Sequence, residues 1–431
     1  MRIVIIKGEE EFMFIYKKDR EILKSLAEEL AEMASLPIQK EKAEMWKRLN
    51  KLEDVKPMVW INEIPWQEMN VNDELTLRCE SEFCRRIEQE LRETLYQWKH
   101  MRGDMVVEPK IYSPLVIYDT GFGISEESDV LRLDPNNPVV SRHFHPQIQN
   151  EEDIEKIKYP VVTYDAEATE ERYQLMLDIF DGILEVEKRG APGFWFAPWD
   201  LLVTWWGVEK LMIDLIERPD LVHKAIARLV DAHLHSLDQY EVLGLLSLNN
   251  GPVRVGSGGY GYTDELPKPG YDPNYVRPTD LWGCATAQIF VAVSPQMHEE
   301  FAVKYEKRWL ERFGLAYYGC CEPLHRKMDM LKRNIPNLRK VSMNYRVNVD
   351  EAVEAVGRDY VFSYKPNPAI LAEAIWNVEK ARAELENVLK RTKAKGCIVE
   401  IIMKDISTVN YAPHRLWEWA EMASKLTEEY A

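Results

Sequence analysis

The chain has 431 residues, 46% hydrophobic and 29% charged, a balance that can bury a substantial core and excludes global disorder. Its 72 acidic against 55 basic side chains give a formal charge of -17, which repels a phosphate backbone; with no basic stripe to offset it, nucleic acid is not an expected partner. No apolar run reaches the roughly 18 residues needed to span a bilayer, and the opening MRIVIIKGEEEF has too short an apolar stretch for a secretory signal, so no membrane association and a cytoplasmic location are expected.

Leu23, Leu26, Leu30 and Met33 recur at three- and four-residue spacing and predict a helical extension over residues 1–54, with helix from 17 to 54. The run PMVWI at 57–61 reads as a strand. A polar helix follows from about Asp73, read as its cap, to His100, a helical insertion over about 70–104. IYSPLVIYD at 111–119 reads as extended.

From Glu151 the pattern alternates: helix over 166–189, the apolar run FWFAP at 194–198, helices over 207–217 and 219–243, and a strand in LLSLNNGP at 245–252. The Gly-, Pro- and Tyr-rich segment 251–281 reads as a long loop, with GSGGYG at 256–261 as a flexible lid carrying Arg254, Tyr260 and Tyr262. After a helix over 295–313, strands recur at 316–321, 338–344, 359–366 and 397–404. Strands alternating with helices predict an α/β fold with parallel strands, here a TIM-type (β/α)8 barrel with N-terminal helical additions. Strands near 57, 194, 246, 317, 340, 361 and 399 are expected in one closed barrel over 55–431.

Six cysteines (Cys79, Cys84, Cys284, Cys320, Cys321 and Cys397) in a chain of this length are expected as reduced thiols rather than a disulfide framework. Cys320-Cys321-Glu322 ends a strand, and because neighbouring strand residues point to opposite sides, only one of the two cysteines is expected to face the axis. His143 and His145 share a side of an extended stretch, while His233 and His235 diverge on a helix; surface and packing roles compete with metal ligation for all four. His298 and His325 are stronger ligand candidates. Trp60, Trp66, Trp195, Trp199, Trp205, Trp206 and Trp282 cluster at or near strand ends, a distribution suited to a flat or quaternary-ammonium ligand, with core packing as the competing explanation.

Several stretches carry a family resemblance: APWDLLVTWWGVEKLMIDLIERPDLVHKAIARLVDAHL at 197–234, DLW at 280–282 followed by VSPQMHEEF at 293–301, and the strand ends YGCCEPL, SMNYRVNVDEAVEAVG and YKPNPAIL. Over residues 105–431, with PMVWINEIPW at the first strand, the chain resembles the uroporphyrinogen decarboxylase superfamily, closest in pattern to its corrinoid-dependent methyltransferase branch. Where porphyrinogen decarboxylases place arginines after the first-strand tryptophan, this chain has Asn62, Glu63 and Ile64, which argues against a polycarboxylate porphyrinogen because facing carboxylates repel each other.

The resemblance implies a methyltransferase moving a methyl group from a small methylated substrate, of methyl ether or methylamine type, to a partner corrinoid protein, and leaves a homo-oligomer open. It implies a zinc site drawn from Cys320, Cys321, Glu322, His325 and Asp405, without the family's usual His-x-Cys pair. Glu63, Cys320, Glu322 and Asp405 are the expected catalytic residues, and Trp60, Asn62, Trp199, Asn249, Arg254, Tyr260, Trp282, Asn344 and Lys365 the expected substrate contacts. The alternative is a carboxy-lyase acting on a smaller carboxylate, held by Arg254 and Lys365 with Glu63 handling the proton.

Overall fold

The computed structural model describes residues 15–132 and 140–431, together with the backbone of 4–5 and 12–13. Eight parallel strands organise it: β1 (Met58–Ile61), β2 (Lys110–Pro114), β3 (Glu185–Arg189), β4 (Trp282–Ala285), β5 (Leu315–Tyr318), β6 (Leu338–Asn344), β7 (Val361–Lys365) and β8 (Ile398–Met403). Six form one sheet in the order β4-β5-β6-β7-β8-β1, and β2 pairs with β3 separately. The fold is therefore α/β with a six-stranded parallel arc, and its ladders do not join the two sets into one closed sheet.

Segments without ladder pairing bridge the two gaps. Beside β1, Asp104 N–H donates to Val59 O at 2.7 Å while the Asp104 carboxylate accepts from Val59 N–H at 2.7 Å. Between β3 and β4, Ala191 and Leu246 share a single parallel bridge, and Thr286 N–H donates to Phe196 O at 3.2 Å. The strands expected at 194 and 246 are not formed. At Gly190 a Cβ would lie 2.0 Å from Leu245 O, so the two backbones approach too closely for side chains, and FWFAP runs directly into a helix, Pro198–Trp206.

Other boundaries shift for local reasons. Pro37 breaks the expected lead-in helix into Lys17–Ala34 and Pro37–Asn50. The helix expected from Asp73 begins at Glu82 instead, capped by Ser81, whose hydroxyl accepts from Cys84 N–H at 3.2 Å; Asp73 sits in a turn with φ 58°. The expected helix over 166–189 ends at Phe180, and its last residues form β3.

Segment 251–263 is not a lid. Val253 to Gly261 folds as a hairpin, with Val255 N–H donating to Gly259 O and Gly261 N–H to Val253 O, and its tip is buried inside the strand arc. Cβ atoms at Gly256, Gly258 and Gly259 would meet Tyr317 at 2.5 Å, Glu400 at 2.6 Å and Trp46 at 2.5 Å. The glycines are therefore a packing requirement rather than a source of mobility. Asn50 donates to the carbonyls of Tyr260 and Tyr262, so the N-terminal helices hold the hairpin from below. Around it lies a polar interior: Lys340 Nζ and Glu400 Oε2 are 2.8 Å apart and fully buried, and Ser363 Oγ donates to Glu400 Oε1 at 2.5 Å. Among the described residues no helix is long and apolar enough to cross a membrane.

Candidate active site

A cavity of about 530 Å³ opens at the carboxyl ends of the strands. Its lining includes the aromatic residues Phe194, Trp195 and Trp282 and the polar residues Glu63, Arg254, Cys320, Lys404 and Asp405. Parallel α/β sheets place ligands at this end because the connecting loops there are free to vary around a fixed scaffold.

The sharp turns after β5 and β8 create the cluster. Gly319 has φ 98° and turns the chain, so the strand alternation stops at Tyr318 and both following cysteines reach the same place. Cys320 Sγ and Cys321 Sγ are 3.5 Å apart, and of the two Cys320 lines the cavity. Asp405, at φ 55°, folds back so that Cys321 Sγ lies 3.2 Å from its Oδ2. Lys404 Nζ stands 2.5 Å from Asp405 Oδ2, 3.5 Å from Cys320 Sγ and 3.5 Å from Glu63 Oε2. Glu63, itself at φ 51°, pairs through Oε1 with Arg254 Nη2 at 2.7 Å and accepts the Asp405 N–H at 3.0 Å. Glu63 and Asp405 are thus two non-glycine residues held in the left-handed region at one site, where such strain persists only if surrounding bonds enforce it.

Electrostatics follow from this crowding. The hydrogen bond from Cys321 holds the Cys320 thiol below its usual range, with help from Lys404 and against burial. The same hydrogen bond, with burial, pushes Cys321 up, so it keeps its proton. Burial opposes charge on Lys404, but Cys320, Asp405, Cys321 and Glu63 together raise it above the ordinary lysine value. Burial also opposes the Asp405 carboxylate, yet its contacts with Glu63 and Lys404 hold it low. The site places two cysteines, the Cys320 thiol the more acidic of them, in contact with a carboxylate and an ammonium.

The remaining expected residues divide. Asn249 reaches the cavity but is committed to Trp282: its amide donates to Trp282 O at 3.0 Å and accepts Trp282 N–H at 2.9 Å. Glu322 is buried behind the turn, accepting Cys320 N–H at 2.8 Å and the Thr286 hydroxyl at 2.9 Å, so it shapes the turn and does not face substrate. Asn344 donates to Cys321 O and braces the same turn. Trp60 and Asn62 line a neighbouring cavity of about 480 Å³ that shares only the Glu63 wall. Trp199 packs edge-on against Phe290 in the core, because the helix starting at Pro198 turns it inward. Tyr260 lies in the buried hairpin against Trp60 and Trp46.

Lys365 is interior, donating to Tyr317 OH at 2.5 Å, and burial lowers it to about 7. His325 stands 3.6 Å from Glu351, away from the thiols. His143 and His145 sit on and beside an exposed antiparallel strand, His145 facing Asp129. His298 is buried behind β5, bonded to Tyr318 OH and Lys327.

Lys404, Phe194, Trp195 and Gln288 were not expected at the site. Gln288 lines the cavity and donates to Asp200 at 2.7 Å, and burial, more than the neighbouring Glu322 charge, pushes Asp200 up to about 6. The residues expected to hold zinc do not fit it. Glu322 and His325 are committed elsewhere, Lys404 intrudes on the thiols, and among the described residues no group of three or more His, Cys, Asp or Glu is arranged to hold a metal ion.

No family model and no curated protein matches the chain. A solved structure, a methyltransferase from Methanosarcina mazei, is similar at 13% identity with a TM-score of 0.49, covering 90% of this chain and 99% of that one.

Proposed function

We propose that the chain is a methyltransferase that takes a methyl group from a small methylated substrate, of methyl ether or methylamine type, and delivers it to a corrinoid carried by a partner protein. In this reading the parallel arc and the β2–β3 pair close, through their unladdered segments, into a barrel of the uroporphyrinogen decarboxylase superfamily. The observation that carries the proposal is the mixed lining of the cavity. Phe194, Trp195 and Trp282 offer apolar surface for a methylated body, and the polar cluster offers positive charge for the atom that loses the methyl group.

The corrinoid, when its carrier docks, supplies the nucleophile for the methyl carbon. The chain's own part is to hold the substrate and stabilise the departing oxygen or nitrogen. Lys404 lines the cavity and keeps its charge, Cys321 retains a proton, and the Arg254–Glu63 pair braces the cluster. A carboxy-lyase would need Arg254 and Lys365 to hold the acid, whereas Arg254 is paired with Glu63 and Lys365 is bonded in the interior.

The test supplies free cob(I)alamin as acceptor and a panel of methylated amines and aryl methyl ethers. Enzyme-dependent conversion to methylcob(III)alamin, with release of the demethylated product, is expected for one class. Absence of conversion across the panel, together with carbon dioxide release from a carboxylate panel, overturns the methyl-transfer reading in favour of the lyase.

A further inference from the structure

The active-site cluster is organised around a nitrogen of the chain itself. The Lys404 side chain is 3% exposed, and its Nζ lies 3.5 Å from Cys320 Sγ, 4.0 Å from Cys321 Sγ and 2.5 Å from Asp405 Oδ2. The acceptors are close to one another as well: the sulfurs are 3.5 Å apart and Cys321 Sγ is 3.2 Å from Asp405 Oδ2. Two thiols and a carboxylate are ligand types that bind divalent ions, and here they crowd together although among the described residues no group of three or more is arranged to hold one. Crowding these groups without a central cation would leave like charges and polar atoms facing each other in a partly dry pocket.

We propose that the Lys404 ammonium is that cation: it occupies the place of a metal ion among Cys320, Cys321 and Asp405, and the chain uses a fixed positive charge where a metal would otherwise sit. Three features of the chain support this. An ammonium carries three donors and no acceptor, which matches acceptors on several sides. Lys404 leaves β8 directly into the site, and the left-handed turn at Asp405 brings the carboxylate back onto it. The other candidate ligands, Glu322 and His325, are bonded to Cys320 N–H and Thr286 and to Glu351, so neither completes a metal shell around the thiols. The inference does not depend on the substrate. Under the methyl-transfer reading it adds that the fixed charge of Lys404, rather than a Lewis acid, stands beside the leaving atom.

The prediction is a gain of metal binding when the lysine is removed. Wild type, Lys404→Ala and Lys404→Ala/Cys320→Ser are equilibrated with Co(II), desalted, and read for cobalt content and near-ultraviolet thiolate-to-cobalt absorption. Thermal unfolding of each is followed with and without Zn(II). Wild type is expected to emerge without cobalt and with a Tm unmoved by zinc. Lys404→Ala is expected to retain close to one cobalt per chain, show the thiolate band and gain Tm with zinc, and the double variant to lose the band. Lys404→Cys, which adds a third thiolate, is carried in parallel so that instability of the alanine variant leaves the test intact. Stoichiometric cobalt with a thiolate band in wild type overturns the proposal, and so do folded Lys404 variants that bind no cobalt.

Discussion

Glu63 joins two elements far apart in sequence: one carboxylate oxygen pairs with Arg254 Nη2 at 2.7 Å and the other accepts the backbone N–H of Asp405 at 3.0 Å. It thereby ties the turn after β1 to the turn after β8 and to the base of the buried hairpin. Glu63→Gln keeps the length but drops the charge opposite Arg254 and Lys404. Turnover of the methylated substrate is expected to fall roughly 100-fold as the Asp405 turn relaxes. The pair is partly exposed, so unfolding free energy should change by only about 0–1 kcal/mol. Unchanged kinetics with normal folding would remove Glu63 from the site.

The cysteines separate by role. Cys320 lines the cavity, and a hydrogen bond from Cys321 helps hold its thiol below the usual range. Cys321→Ser retains a hydroxyl donor, whereas Cys321→Ala does not, and Cys320→Ser replaces the acidified thiol with an alcohol that does not ionise in the ordinary pH range. Steady-state rates should fall in the order Cys321→Ser, Cys321→Ala, Cys320→Ser, with the last losing on the order of 100-fold or more. Equal rates for Cys320→Ser and wild type would show that the Cys320 sulfur takes no part.

Much of this was legible in the sequence, for identifiable reasons. β5 to β8 are almost wholly buried and are short segments rich in apolar and β-branched or aromatic residues between helices, so they stood out despite interior polar positions such as Lys340 and Glu400. β3, with the sequence EVEKR, has mostly polar side chains and was absorbed into the preceding helix. Glu63, Arg254, Trp282, Cys320 and Asp405, all named from the sequence, line one cavity because strand ends and loops converge at this face. Lys404 was missed as a participant because a lysine after an apolar strand normally reaches solvent, and only the positive-φ turns at Gly319 and Asp405 fold acceptors around it. The misplaced tryptophan has a similar cause: Trp195 precedes the helix start at Pro198 and lines the cavity, while Trp199 follows it and turns into the core. GSGGYG looked mobile because composition does not reveal what a glycine is packed against.

The buried hairpin can be tested at its tip. Gly256 has φ 56°, and a Cβ there would lie 2.5 Å from the Tyr317 ring. Gly256→Ala combines backbone strain with overpacking and should cost about 2–5 kcal/mol, seen as a lower thermal midpoint. A lid at this position would tolerate alanine with little change in midpoint.

Lys340 and Glu400, both fully buried, form a second test. Lys340→Met leaves the Glu400 charge without its cation and should destabilise by about 3–5 kcal/mol. Adding Glu400→Gln removes that charge while keeping an acceptor for Gly259 N–H and Ser363 Oγ, so the double variant should recover part of the loss. Thermal midpoints of the two single variants and the double form the cycle, and strict additivity would show that the pair is not coupled.

Behind β5, Glu306 is fully buried and accepts the Tyr318 hydroxyl at 2.7 Å, while His298 bonds the same hydroxyl from the other side. Burial, reinforced by the charges of Glu322 and Asp200, pushes Glu306 up to about 8 from its ordinary 4.5. Between these two values the folded chain holds a proton that the unfolded chain has released. Stability rises with pH only where the unfolded state binds more protons, and here it binds fewer. The contribution of Glu306 is therefore fully present below pH 4.5 and is lost as pH rises through about 8. Glu306→Gln stays neutral throughout, so its thermal midpoint should decline less than that of wild type between pH 5 and pH 8, and the variant should be relatively more stable at the alkaline end. Parallel midpoint profiles for the two proteins across this range would show that Glu306 titrates normally in the folded state.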